Sequence, residues 1–389
     1  MRTLLGALAV ACLLICNHAQ AADFFSKLKQ VPVDFGGFFS QGVITTTDNN
    51  YLGDTDGEVS ARFREAAINA TFSPLKRTTV SAQAFVMELG PGVGGMSDVL
   101  LDYAFADYSV NEWIGFRAGR IKRPQGIYNT IRDVDVVRTS ILLPQGIYDN
   151  RWRDFFSYID GGSAYGYIAG GTVEYEVYYG TVQLDSEGGL GSFLLGEFPG
   201  LAVTDVNLDG PAYGGQVWYN TPIMGLRAGQ AVSYFKDSNI DLFHPYAGAM
   251  LEVIDASFFT TSLQYMTGNW TFEAEFLSRL FETIDPVSGV KVSETKGQSW
   301  YISATYQIND KLALGAYYTE FAYDVDSNSP RRNQDEVVVS ARYDLSDNWV
   351  IKVEAHKVDG YGLLYNDRGQ NLNPSDDWWI FSSKVSFSF

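Results

Sequence analysis

The sequence predicts an all-β fold, an antiparallel β-barrel of about sixteen strands that closes on itself within a membrane. Three observations predict it. Polar and apolar residues alternate with a period of two through most of the chain. The connections between alternating runs switch between tight and long. Aromatic residues, 25 Phe, 24 Tyr and 8 Trp among 389 residues, crowd the ends of the apolar faces.

The first element is a targeting segment. Met1-Arg2-Thr3 supplies a charged start, an apolar run follows to Cys16, and Ala19-Gln20-Ala21 reads as a cleavage site, so residues 1–21 are predicted to be a secretory signal peptide. The apolar run is too short to span a bilayer as a helix. Cys12 and Cys16 both lie in this segment, so a mature chain from residue 22 has no disulfide and no thiolate ligand. Of the three histidines, only His244 and His356 remain after cleavage. That pair is too sparse for a zinc cluster or a His-based catalytic network. No cofactor is expected, and the net charge of −18 argues against a nucleic-acid partner.

The strands come next. Trp270, Phe272, Ala274 and Phe276 alternate with Thr271, Glu273 and Glu275, and Trp349, Ile351, Val353 and Ala355 alternate with Lys352, Glu354 and His356. A soluble sandwich would also alternate, but its core is mostly aliphatic, whereas these apolar faces begin or end in Trp, Tyr or Phe, as in an aromatic girdle. Tight connections are expected near 73–77, 110–113, 169–172, 220–225, 267–270, 308–311 and 345–348. Long ones are expected near 46–59, 90–97, 121–162, 184–210, 236–254, 283–297, 325–335 and 359–375. Short turns on one side and long loops on the other join an even number of strands, and closure removes sheet edges from lipid.

About ten residues separate the expected cleavage point from the first strand near Val33, so any constriction of the lumen must come from a loop. The third loop, 121–162, is the longest. It holds the pentapeptide PQGIY twice, at 124–128 and 144–148, and each Pro-Gln-Gly suits a type I turn. Between them, Ile131, Val134, Val137 and Ile141 fall at near-helical spacing, and Asp135 lies three residues from both Arg132 and Arg138. This spacing predicts a short helix, apolar toward the wall and charged toward the lumen.

The charged candidates for the constriction are Arg120, Lys122, Arg123, Arg132, Asp133, Asp135, Arg138, Arg151 and Arg153. Strand parity adds Arg227, Glu273, Glu275, Arg279, Arg342, Lys352 and Glu354 to the lumen wall. Opposed charges across a narrow wet neck orient dipolar solutes and set ion preference, whose sign stays open here. Asp205, Asn207 and Asp209 match the start of a calcium loop, but Gln216 stands where its bidentate glutamate would be.

The last strand, Lys384-Val385-Ser386-Phe387-Ser388-Phe389, resembles the C-terminal strand of Gram-negative outer-membrane proteins. Gly119-Arg120-Ile121-Lys122-Arg123-Pro124-Gln125-Gly126-Ile127-Tyr128-Asn129, with Ile141 to Gln145 and Asp160-Gly161-Gly162, is similar to sixteen-stranded porin-like proteins and more loosely to phosphate-selective porins. No arginine ladder runs along the strands, so phosphate selectivity does not transfer. The resemblance implies an outer-membrane channel for small hydrophilic solutes, with a third loop folded into the lumen. It also implies a homotrimer, though porin-like channels include monomers and the sequence does not choose, and it implies lipid and lipopolysaccharide contacts, with recognition of the strand ending in Phe389 by the barrel-assembly machinery. A closed structural or adhesive barrel and an outer-membrane enzyme are the competing readings.

Overall fold

The computed structural model describes residues 33–89, 99–150, 153–182, 202–205, 210–244, 248–285, 287–364 and 371–389. The expected signal peptide lies outside them, as do Arg151, Asn207 and Asp209 and the side chain of Asp205. The strands are β1 (Val33–Thr46), β2 (Ser60–Leu75), β3 (Thr78–Leu89), β4 (Leu100–Ser109), β5 (Gly115–Lys122), β6 (Tyr158–Ile168), β7 (Val173–Thr181), β8 (Ala202–Asp205) and β9 (Pro211–Asn220). There follow β10 (Leu226–His244), β11 (Gly248–Thr267), β12 (Trp270–Ile284), β13 (Lys291–Gln307), β14 (Leu312–Ala322), β15 (Asn333–Asp344), β16 (Trp349–Gly360) and β17 (Asp377–Ser388).

Sixteen of these form a closed antiparallel barrel. The other, β8, is a four-residue piece paired with the far end of β10, while β7 pairs directly with β9. Strand β17 closes the barrel on β1, from Phe38 opposite Ser388 to Thr46 opposite Ile380. Phe389 and Gly37 add a reciprocal backbone pair at 3.1 and 3.2 Å. Closure leaves no unpaired edge in the bilayer.

The seven tight turns fall where the sequence places them, because each carries its own local chemistry. Asn111 Oδ1 accepts from the N–H groups of Trp113 and Ile114, and Asn309 Oδ1 does the same for Lys311 and Leu312. Gly268, at φ +57°, allows β11 and β12 to join through two residues. The long connections at 236–254 and 283–297 differ from expectation, since both are mostly strand. Pairing runs on to His244 opposite Gly248 and to Ile284 opposite Lys291. Backbone pairing continues beyond the apolar band, where charged side chains such as Lys291, Glu282 and Glu294 join in water and erase the alternation.

Outward faces are of two kinds. On β11–β17 they carry large groups such as Phe259, Leu263, Phe276, Ile302, Val337 and Phe381, all exposed toward lipid. On β2–β6 they include two rows of small residues among larger ones such as Ile68 and Phe116: Ala70, Ala82 and Ala104 face one another in successive strands, as do Ala106, Ala118 and Gly162. The lumen holds two apolar clusters. One packs Phe155 and Phe156 of the third loop on Tyr178, Phe235, Phe258 and Tyr301, and the other packs Ile141 and Leu142 on Phe63, Phe85, Val358 and Trp378.

Candidate functional site

The third loop spans 123–157 and folds into the barrel in short pieces: turns of 3₁₀ helix at Asn129–Ile131 and Asp135–Val137, and single α-turns at Gln145–Tyr148 and Arg153–Phe156. The expected helix through Ile131, Val134, Val137 and Ile141 is broken at Val134, where ψ is 89°. Its polarity is also reversed. Asp133 and Asp135 are 6% exposed, whereas Ile131, Val134 and Val137 are 37%, 38% and 46% exposed. The reason is electrostatic, because the barrel wall presents buried charges that are costly unless the loop pairs them. Burying three aliphatic side chains is worth less than satisfying that set.

One stretch of wall is cationic. Lys352 donates to the Asp135 carboxylate at 3.1 Å and to the carbonyls of Asp135 and Ser140 at 2.6 and 3.0 Å. Lys384 lies 3.5 Å from Asp135, Ser386 donates to it at 2.5 Å, and Arg342 donates to the Val136 carbonyl. Burial alone would raise the Asp135 carboxyl, but Lys352, Lys384 and Arg138 hold it far below the usual range. Asp133 sits between Lys122 (2.7 Å) and Arg153 (2.5 Å), and both also bond Asp102 of β4. Against the desolvation of burial, Arg153 and Lys122 hold Asp133 well below the carboxylate range.

Another stretch is anionic and takes the loop's donors. Glu354 accepts from the N–H groups of Ile141 and Leu142 at 2.7 and 2.9 Å. Glu275 accepts from the Ile127 N–H at 2.8 Å and from the hydroxyls of Tyr148 and Tyr301, while Glu273 accepts from Tyr128 at 2.5 Å. The two PQGIY copies meet here. The Tyr148 hydroxyl accepts from the N–H groups of Ile127 and Tyr128, both at 3.0 Å, and the two tyrosine rings pack edge to face at 5.8 Å. Only the first copy is an open turn, with Gly126 at φ +64°; the second is the α-turn Gln145–Tyr148. A Cβ on Gly126 would stand 2.6 Å from both Glu275 Oε1 and the Tyr148 hydroxyl, so this position takes only glycine.

The remaining candidates are placed as follows. Arg123 is fully buried, donating to the Phe156 carbonyl (3.1 Å) and Gln125 (2.7 Å) and covering the Phe156 and Phe235 rings. Arg120 differs from expectation: it pairs with Asp160 at 2.6 Å and lies over Tyr158, on the face opposite the inward-packed Ile121 and Ile159. Arg227 covers Trp218 and donates to Gln264 at 2.8 Å, and Arg279 covers Phe321. Asp102, Glu65, Lys384 and Ser386 complete the clamp. All four sit on polar strand parities, but parity cannot say which polar residues meet a loop.

The outcome is a loop whose carboxylates, Asp133 and Asp135, are matched by cations of wall and loop, and whose free edge is aliphatic. That edge borders a cavity of about 420 Å³ beside β1–β5 and β17, lined by Phe38, Tyr103, Ile131 and Val134 and also by Lys122, Asp133 and Asp135. Among the described residues, no group of three or more His, Cys, Asp or Glu is placed to hold a metal.

Comparison with known proteins places this geometry among channels. A family model described as Gram-negative porin matches residues 7–362. No curated protein matches the chain. Among solved structures, OmpT of Vibrio cholerae in a trimer form is 12% identical at a TM-score of 0.56, over 92% of this chain and 99% of that one. The anion-selective porin of Comamonas acidovorans is 12% identical at 0.56, over 92% and 100%. OmpF of Salmonella typhi, in complex with daunomycin, is 13% identical at 0.58, over 92% and 97%. At these identities the likeness is one of fold.

Proposed function

Since the chain belongs to the Gram-negative porins and forms an outer-membrane channel for small solutes, we propose that its third loop, 123–157, is the constriction through which those solutes diffuse passively. One observation carries this reading: wall groups on β12, β15, β16 and β17 hold the loop across the lumen by hydrogen bonds and ion pairs. The carboxylates that the loop brings, Asp133 and Asp135, are consumed in ion pairs. The edge left facing the passage, Ile131, Val134 and Val137, carries no charge, so discrimination between anions and cations is weak. Swelling of proteoliposomes in sugars of increasing size tests the size limit. Reversal potential in a KCl gradient tests the charge reading, with a value close to zero expected.

The same reading assigns no covalent chemistry. His356 is held between Glu336 at 2.8 Å and Glu354 at 2.9 Å, with its ring against Tyr317, an arrangement that offers no nucleophile. We further infer a homotrimer. The small outward residues of β2–β6 suit close packing of barrel on barrel, and the Arg120–Asp160 pair among them is better matched to protein than to lipid. Residues 1–21 act as the export signal, the aromatic outward faces meet lipid and lipopolysaccharide, and the strand ending in Phe389 is the part that assembly machinery reads.

A further inference from the structure

Between the docked loop and strands β2 and β17 lies a small polar cavity of about 20 Å³, room for about one water-sized sphere. Its described lining sets four cations, Arg132, Arg138, Arg153 and Lys384, against two carboxylates, Glu65 and Asp133. Arg153 and Lys384 are matched, the first to Asp133 at 2.5 Å and Asp102 at 3.3 Å, the second to Glu65 at 2.6 Å.

Arg132 and Arg138 are not matched in full. Arg132 is 4% exposed and donates through Nη2 to the neutral acceptors Tyr148 O (3.0 Å) and Asn150 Oδ1 (3.1 Å). Its Nη1 is buried with no hydrogen-bond partner among the described residues. Arg138 donates to the carbonyls of Arg132 (2.7 Å) and Ile141 (3.4 Å) and lies 3.4 Å from Asp135, yet its Nε is likewise buried and unpartnered. Burial, and then Arg153 beside it, push the Arg132 guanidinium down to about 10 against the opposing pull of Asp133 and Asp149. Two buried N–H groups therefore lack acceptors around a space where cations outnumber carboxylates.

We propose that this space is a binding site for one small monovalent anion of chloride size, which accepts from Arg132 Nη1 and Arg138 Nε. A water could accept from both, but it adds no charge and leaves the cationic excess in place. A tetrahedral oxyanion exceeds the room available. The bound halide completes the clamp and ties docking of the third loop to halide in the medium.

The test is diffraction from crystals of the full chain, purified without chloride and soaked in sodium bromide, with data collected at the bromine edge. The expected result is an anomalous peak in contact with Arg132 Nη1 and Arg138 Nε, lost in Arg138→Met protein that retains heat-modifiable barrel migration. Wild-type crystals decide alone if that variant does not fold. Density without anomalous signal at the site, bromide only elsewhere, or a peak that survives in Arg138→Met overturns the assignment. Occupancy is read without any current, so the result is independent of whether the loop is the constriction.

Discussion

Glu275 shows at single-residue scale how this barrel holds its loop. Four donors surround its buried carboxylate: Ser262, Ile127 N–H, Tyr148 and Tyr301. Tyr148 in turn binds the backbone of the other PQGIY copy, so the repeated pentapeptide is two halves of one knot around a wall carboxylate. Tyr148→Phe removes one donor to Glu275 and the acceptor for two N–H groups, a cost of about 1–3 kcal/mol in loop docking. Single-channel recording of that variant is expected to show noisier open levels than the parent. Asp133 and Asp135 make a pH prediction. Their folded pKa values are depressed, so their contribution is present above the ordinary carboxylate pKa and is lost as pH falls through the depressed one. The share of loop docking that Asp133 and Asp135 supply should therefore persist from neutrality down to about pH 4, and the channel noise that comes with its loss should appear only in stronger acid.

Among elements, what the sequence disclosed followed from how local each cause is. Tight turns such as 268–269 and 308–311 carry their own glycine or asparagine, and strand faces follow from alternation, so both were legible. The extensions of β10 to β13 were not, because backbone pairing persists after alternation stops. The loop was legible in position and not in conformation. Its aliphatic spacing suggested a helix, but Lys352, Lys384 and Glu354, more than 200 residues away in sequence, set its pieces instead. Arg120 was counted with the constriction charges because it adjoins the loop, but it lies within β5, which runs on to Lys122, and pairs with Asp160. The outward alanines make a prediction at this scale. Ala104→Trp places a bulky side chain in the β2–β6 face, and light scattering in detergent should show its mass fall from a trimer to a folded monomer. An unchanged mass would remove that face from the interface.

For the whole molecule, a closed ring of sixteen strands supplies a stable wall, and the third loop is the proposed constriction. The division is physical, since the wall's backbone bonds do not depend on the loop, while the loop is held both by its own bonds and by wall side chains such as Glu275, Lys352 and Glu354. Loop removal should thus leave the barrel intact. The most direct measurement compares planar-bilayer recordings of the full chain with a variant in which 127–148 is replaced by a short Gly-Ser link. The account predicts stepwise openings from the full chain and openings of several-fold larger conductance from the variant. A full chain that inserts folded yet stays silent, or a variant with unchanged conductance, would contradict it.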